Sequence, residues 1–266
     1  MKVDLHNHTY LCKHAVGIMA DYVQKAIDEK IDVFGFSDHN PMKFDKRHRM
    51  EDKYEVDYLE MFTDVKKQFD GQIKLLFAYE FDYLTKGMNL KDLKKSVDYL
   101  IGSVHNVDIF ALGDEKIKQA YINEHEMFKN KDADYLWMNY FEQIKNMAQS
   151  GHFNIVGHMD FIKLLVKEPK TDVRLLAKEA LTAIKKSGMS VEINAAGLRN
   201  DLGETYPSKK LLEEVYACDI PITFGSDSHN PKHVGFKKND CENLAKEIGY
   251  TKCVYYEKKE KIIVEF

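Results

Sequence analysis

The 266 residues carry a formal net charge of −4 and are 44% hydrophobic and 31% charged, a balance that excludes disorder and low complexity and supplies apolar surface for a real core. The length suits one large α/β domain, and residues 1–266 are read as a single domain. Lysine doublets such as Lys66-Lys67 and Lys185-Lys186 are scattered without forming a basic stripe, and no apolar run suits a signal peptide or a membrane span, so neither nucleic acid nor a membrane is an expected partner and the chain is expected in the cytoplasm.

In chain order, short β-rich runs alternate with longer amphipathic stretches, the signature of repeated βα units and a mainly parallel sheet. Seven strands are predicted: Val3 to Leu5, Asp32 to Ser37, Lys74 to Tyr79, Tyr99 to Val104, Asn154 to Gly157, Ser190 to Asn194 and Pro221 to Gly225. Helical patterns lie at Ala20 to Lys30, Asp57 to Phe69, Tyr135 to Ser150, Asp172 to Ser187 and Ser208 to Ala217, with Asp172 and Ser208 as N-caps and Gly151 and Gly188 as stops. The polar span from Asp82 to Asp134 exceeds what one βα unit needs and is expected to form loops over one end of the sheet. Lys252 to Tyr256 and Lys261 to Glu265 read as a terminal hairpin.

Histidine carries the functional signal, because its positions follow strand ends. His6 and His8 follow the first strand, Asp38 and His39 the second, Glu80 the third, His105 the fourth, His158 the fifth, and Asp227 and His229 the seventh. In a parallel α/β fold the C-terminal strand ends share one face, so one pocket receives all of these side chains. His6-x-His8 and Asp227-x-His229 each place two ligand-type residues on the same side of an extended segment. Imidazole with carboxylate suits zinc, iron or manganese at a hydrolytic site.

His48, His125, His152 and His233 lie off the pattern and read as structural or surface residues. The four cysteines, Cys12, Cys218, Cys241 and Cys253, are too sparse for a disulfide framework, although Cys12 lies between His8 and His14 and can approach a metal. Ser226 and Ser228 flank Asp227, but the chain has no nucleophile-elbow, phosphatase-loop or phosphate-cradle motif.

These residues resemble the polymerase-and-histidinol-phosphatase (PHP) superfamily. The shared signatures are Asp4-Leu-His-Asn-His8 with His14, Phe36-Ser-Asp-His39, Glu80, His105, Gly157-His158 and Gly225-Ser-Asp-Ser-His229. Ile101-Gly-Ser-Val-His105, Val156-Gly-His-Met-Asp160, Glu192-Ile-Asn-Ala-Ala-Gly-Leu-Arg199 and Tyr206-Pro-Ser208 are more selective for its monofunctional histidinol-phosphatase branch. The resemblance implies a distorted (β/α)7 barrel with the active site at the C-terminal strand ends. It also implies three divalent ions: one on His6, His8, Glu80 and Asp227, a second on Glu80, His105 and His158, and a third on His14, His39 and His229. The implied reaction is hydrolysis of L-histidinol phosphate by metal-bound hydroxide, in histidine biosynthesis.

Arg199, after the sixth strand, is a candidate grip on a phosphoryl oxygen, and Asp160 or a metal-bound water is a candidate proton donor to the leaving alkoxide. Where Asn-Thr-Ser-Gly is expected the chain reads Asn194-Ala-Ala-Gly197, which removes two hydroxyls near the site. The competing functions are another phosphoesterase of the superfamily, acting on nucleotides, oligonucleotides or phosphotyrosine, and a metal-binding or partner-binding module without turnover.

Overall fold

A computed structural model of the chain describes residues 1–42, 47–84, 96–109, 118–121 and 131–266. Its elements in order are β1 (Val3–Asp4), α1 (Met19–Asp28), β2 (Val33–His39), α2 (Glu55–Gln68), β3 (Lys74–Asp82), β4 (Tyr99–Ser103), β5 (Asn106–Ile109), β6 (Lys118–Tyr121), α3 (Ala133–Gln149), β7 (Ile155–Val156), α4 (Val173–Ser187), β8 (Ser190–Asn194), α5 (Lys209–Ala217), β9 (Ile222–Gly225), α6 (Lys238–Ile248), β10 (Lys252–Glu257) and β11 (Glu260–Glu265). All seven predicted strands are present. The helix Lys238–Ile248 and the β5–β6 hairpin in the long insert were not among the predicted elements.

One sheet runs in the order β1-β2-β3-β4-β7-β8-β9, and every pairing within it is parallel. Its two ends meet. The Leu5 N–H donates to Phe224 O at 2.9 Å and the His8 N–H to Ser228 O at 3.0 Å, and Asn7 forms a parallel bridge with Ser228. The result is an α/β fold around a nearly closed, barrel-like parallel sheet. Strands β2, β4 and β8 are buried along their whole length, as expected of a parallel sheet covered on both faces.

The helices dock through apolar stripes at helical spacing. Met19, Tyr22, Val23 and Ala26 form the buried face of α1, and Val173, Ala177, Ala180, Leu181 and Ile184 that of α4. Asp172 caps α4 by accepting the Arg174 N–H at 3.0 Å, and Gly188 ends it at φ +73. Ser208 occupies the N-cap of α5 without a capping side-chain bond. Its own N–H is instead taken by the Asp160 carboxylate at 2.8 Å, which ties the loop after β7 to the start of α5.

The predicted terminal hairpin forms as β10–β11, with Cys253 opposite Val264 and Tyr255 opposite Ile262. Lys258 and Lys259 both have positive φ, the condition for a two-residue turn whose twist matches the strands. Asp98, just before β4, accepts the Lys258 N–H through its carboxylate and the Lys259 N–H through its carbonyl, which seats the turn against the sheet.

Candidate metal centre

Parallel register does the first part of the assembly. His39 and Glu80 are direct partners at the ends of β2 and β3, and His39 Nδ1 stands 2.8 Å from Glu80 Oε2. The other carboxylate oxygen, Glu80 Oε1, lies 2.9 Å from His158 Nε2 and 3.7 Å from His105 Nε2. From the segment after β1, His6 Nε2 and His8 Nε2 lie 3.4 and 3.8 Å from Glu80 Oε2. Asp227, after β9, approaches His8 Nε2 at 3.2 Å and His6 Nε2 at 3.9 Å. The His229 ring stacks on that of His8 at 4.0 Å, and the His14 ring stands 4.5 Å from that of His229. The nine residues picked out by the sequence thus form one continuous cluster.

Within it, the side-chain donors of His6, His8 and Glu80, of Glu80, His105 and His158, and of His8, His39 and His229 each lie within 4.8 Å of one another. Glu80 belongs to two of these sets, as a bridging carboxylate would. His229 also gathers with His14 and Cys12, and the His14 ring stands 5.3 Å from that of His39.

The chemistry of the donors fits divalent cations. His6 Nε2, His8 Nε2, His39 Nδ1, His229 Nε2 and Glu80 Oε2 are buried and make no hydrogen bond, despite their proximity. Polar atoms so placed are costly in a core, and bound cations would satisfy them. Five histidines have Nδ1 set against an oxygen, which leaves Nε2 for the centre: His6 to Glu192 Oε1 (2.8 Å), His8 to Asp38 Oδ1 (3.4 Å), His14 to the Cys12 carbonyl (2.9 Å), His105 to Asp82 Oδ1 (2.5 Å) and His229 to the Asp227 carbonyl (3.2 Å). Such outer partners fix the tautomer and ring direction of a ligating histidine.

Proton equilibria agree with this reading. Burial lowers His39 and His229 well below the usual histidine value, which leaves them in the neutral form that binds metal. Burial acts to raise Glu80 and Asp227, yet neighbouring histidines, His39 and His6 foremost, hold both well below the usual carboxylate range. Burial also acts to lower His6, and the surrounding Glu192, Asp227 and Glu80 prevail and raise it.

Several supporting residues were not singled out in the sequence. Glu192, on β8, holds His6 Nδ1 through Oε1 and accepts the His158 N–H through Oε2 at 3.1 Å. Gly225 makes room for it, since a Cβ there would fall 1.9 Å from Glu192 Oε1 and 2.6 Å from His6 Cβ. Asp82 holds His105 and is itself gripped by Arg49 Nη2 at 2.6 Å. His48, read as off the pattern, brings its ring to 5.5 Å from that of His14. His152 is exposed, His233 is half-buried, and His125 lies outside the described residues.

Arg199 donates from Nη1 to Ser226 O at 2.5 Å and from Nη2 to Asp227 O at 2.7 Å. It clamps the turn in which Asp227 takes φ +53, a left-handed conformation that an aspartate adopts at some cost. Asp160 is 1% exposed, with one oxygen on Ser208 N and Lys163 Nζ and the other, Oδ1, without a hydrogen bond. Burial raises its carboxyl above the usual range.

A sequence model described as the PHP domain matches residues 4–196, a span that holds seven of the nine clustered residues. The chain belongs to the PHP domain family. Its relatives include proteins named histidinol-phosphatase. A Deinococcus radiodurans protein named "Probable histidinol-phosphatase" is 29% identical over 255 residues, covering 92% of this chain and 93% of its own. The Bacillus subtilis histidinol-phosphatase is 26% identical over 261 residues, covering 88% and 96%. The fold matches the Lactococcus lactis histidinol phosphate phosphatase, solved with zinc, L-histidinol and phosphate, at a TM-score of 0.76 and 20% identity over 98% of both chains. Family and donor clusters together support a metal-dependent phosphoesterase. Among the described residues no helix of this PHP protein is long and apolar enough to cross a membrane.

Proposed function

We propose that the chain is a cytoplasmic histidinol-phosphatase, a single domain that hydrolyses L-histidinol phosphate to L-histidinol and phosphate at the C-terminal strand ends of a distorted (β/α)7 barrel. The observation that carries this reading is the convergence of His6, His8, His39, His105, His158 and Asp227 on or around Glu80, in a chain that has near-full-length relatives named histidinol-phosphatase.

Three divalent ions, zinc, iron or manganese, would be held by His6, His8, Glu80 and Asp227, by Glu80, His105 and His158, and by His14, His39 and His229. When bound, they supply charge against the phosphate dianion and lower the pKa of an attacking water. Glu80 and Asp227, kept ionised by their histidine neighbours, offset part of the ionic charge and hold the imidazoles in register. Glu192, Asp38 and Asp82 keep the ligating rings aimed inward. Arg199 takes a phosphoryl oxygen with the N–H groups that Ser226 and Asp227 leave over. Asp160, whose buried carboxyl retains a proton more readily than an exposed one, protonates the leaving alkoxide.

A substrate panel tests the proposal. L-Histidinol phosphate is expected to exceed nucleotides, sugar phosphates and phosphotyrosine by at least about tenfold in kcat/KM, which needs only ~1.4 kcal/mol of differential transition-state binding. A nucleotide or phosphotyrosine at the top of the panel would move the protein to another branch of phosphoesterases.

A further inference from the structure

We infer that Cys12 is a metal ligand, its thiolate completing the ion held by His14 and His229. The inference rests on the metal-centre reading above and adds to it a soft, anionic donor that the implied ligand sets lack.

Cys12 ends the short turn Tyr10–Cys12 and is fully buried. Its sulfur lies within 4.8 Å of the donor atoms of His14 and His229, and within the same distance of those of His8 and Asp38. Lys13 between Cys12 and His14 takes φ +72, so the chain turns back and presents both side chains of the Cys-x-His step to one place. His14 Nδ1 is occupied by the Cys12 carbonyl at 2.9 Å, which leaves Nε2 as its ligating atom.

Independent of the cysteine, one atom here calls for a cation. His229 Nε2, in the same group as the Cys12 sulfur and the His14 donor atom, is buried and makes no hydrogen bond. Charge supplies the second argument. Glu80 and Asp227 serve the other ions, and a site made of His14, His39 and His229 alone would hold a divalent cation with neutral ligands only. A thiolate adds the missing negative charge, and sulfur with imidazole is a donor set that suits zinc and iron. Cys241 and Cys253, also buried, belong to none of these groups and provide internal controls.

The test is cobalt substitution. Metal-free wild-type protein titrated with Co²⁺ alone is expected to develop an intense thiolate-to-cobalt charge-transfer band in the near ultraviolet as the last ion binds. Cys12→Ser and Cys12→Ala should lose that band, keep the weaker visible bands of cobalt on nitrogen and oxygen ligands, and bind the last ion at least about tenfold more weakly. Cys241→Ser and Cys253→Ser should keep the band. Cobalt bound by the wild type without the band overturns the inference and leaves the metal-centre reading standing, whether or not the Cys12 variants fold. A band that persists in Cys12→Ala also overturns it. Failure of the wild type to bind cobalt at all overturns both readings.

Discussion

Replacing Arg49 by Met separates the stability of the fold from the aim of a candidate ligand. The Arg49 Nη2–Asp82 Oδ2 contact is 2.6 Å long, with side chains 5% and 0% exposed, and Asp82 also orients His105. Removing one partner of such a pair leaves a buried charge with less compensation, at a cost of about 3–5 kcal/mol. For a chain of this size that lowers the melting temperature by roughly 10 °C. The double variant Arg49→Met/Asp82→Leu removes the orphaned charge as well, and two apolar side chains in that space should recover most of the loss. It cannot recover the hydrogen bond to His105 Nδ1, so its affinity for the ion shared by Glu80, His105 and His158 should fall roughly 10- to 100-fold. Thermal unfolding by circular dichroism, read beside metal content by elemental analysis, gives the two quantities separately. A double variant as unstable as the single one would show that the orphaned Asp82 charge is not the source of the loss, and one that is stable and keeps full metal affinity would show that Asp82 does not aim His105.

Two further outcomes follow from the same structure. Arg199→Ala should lower kcat/KM by roughly 30- to 1000-fold, the loss of a desolvated charge-assisted contact of about 2–4 kcal/mol, with Arg199→Lys falling between; activity within about threefold of wild type together with a lower melting temperature would reduce Arg199 to a clamp on the Asp227 turn. At acid pH, Asp134 contributes through the bonds its carboxylate accepts from Thr171 N, Thr171 Oγ1 and Lys170 N, which hold its folded value below the usual one. A depressed folded value means that this stability is present above the unfolded value near 4 and is lost as pH falls through the folded one. Asp134→Asn should therefore flatten the acid limb of a denaturation-versus-pH curve, and an unchanged limb would contradict the assignment.

The cluster was legible because ligand-type side chains follow strand ends, and parallel topology converts that one-dimensional regularity into a common face. Strand positions were legible for the same reason, although β1 and β7 shrink to two residues each where the chain bends into the site. The supporting shell was not. Glu192 and His6 are 186 residues apart and Asp82 and His105 23 apart, and a lone carboxylate in a strand carries no spacing that names its partner. The histidine–carboxylate logic does suggest looking for one acidic residue per ligating imidazole, and Asp38, Asp82 and Glu192 meet that description. Ser208 shows the reverse case, a good capping residue at the N-cap position whose side chain makes no capping bond.

Phosphatase activity is expected to depend on bound metal. Protein as purified should carry more than two equivalents of zinc, iron or manganese, lose hydrolysis of L-histidinol phosphate on exhaustive chelation, and regain it when divalent metal is restored. Metal-free protein that retains full activity, with its metal content checked by elemental analysis, would show that the histidine–carboxylate cluster does not act through metal ions.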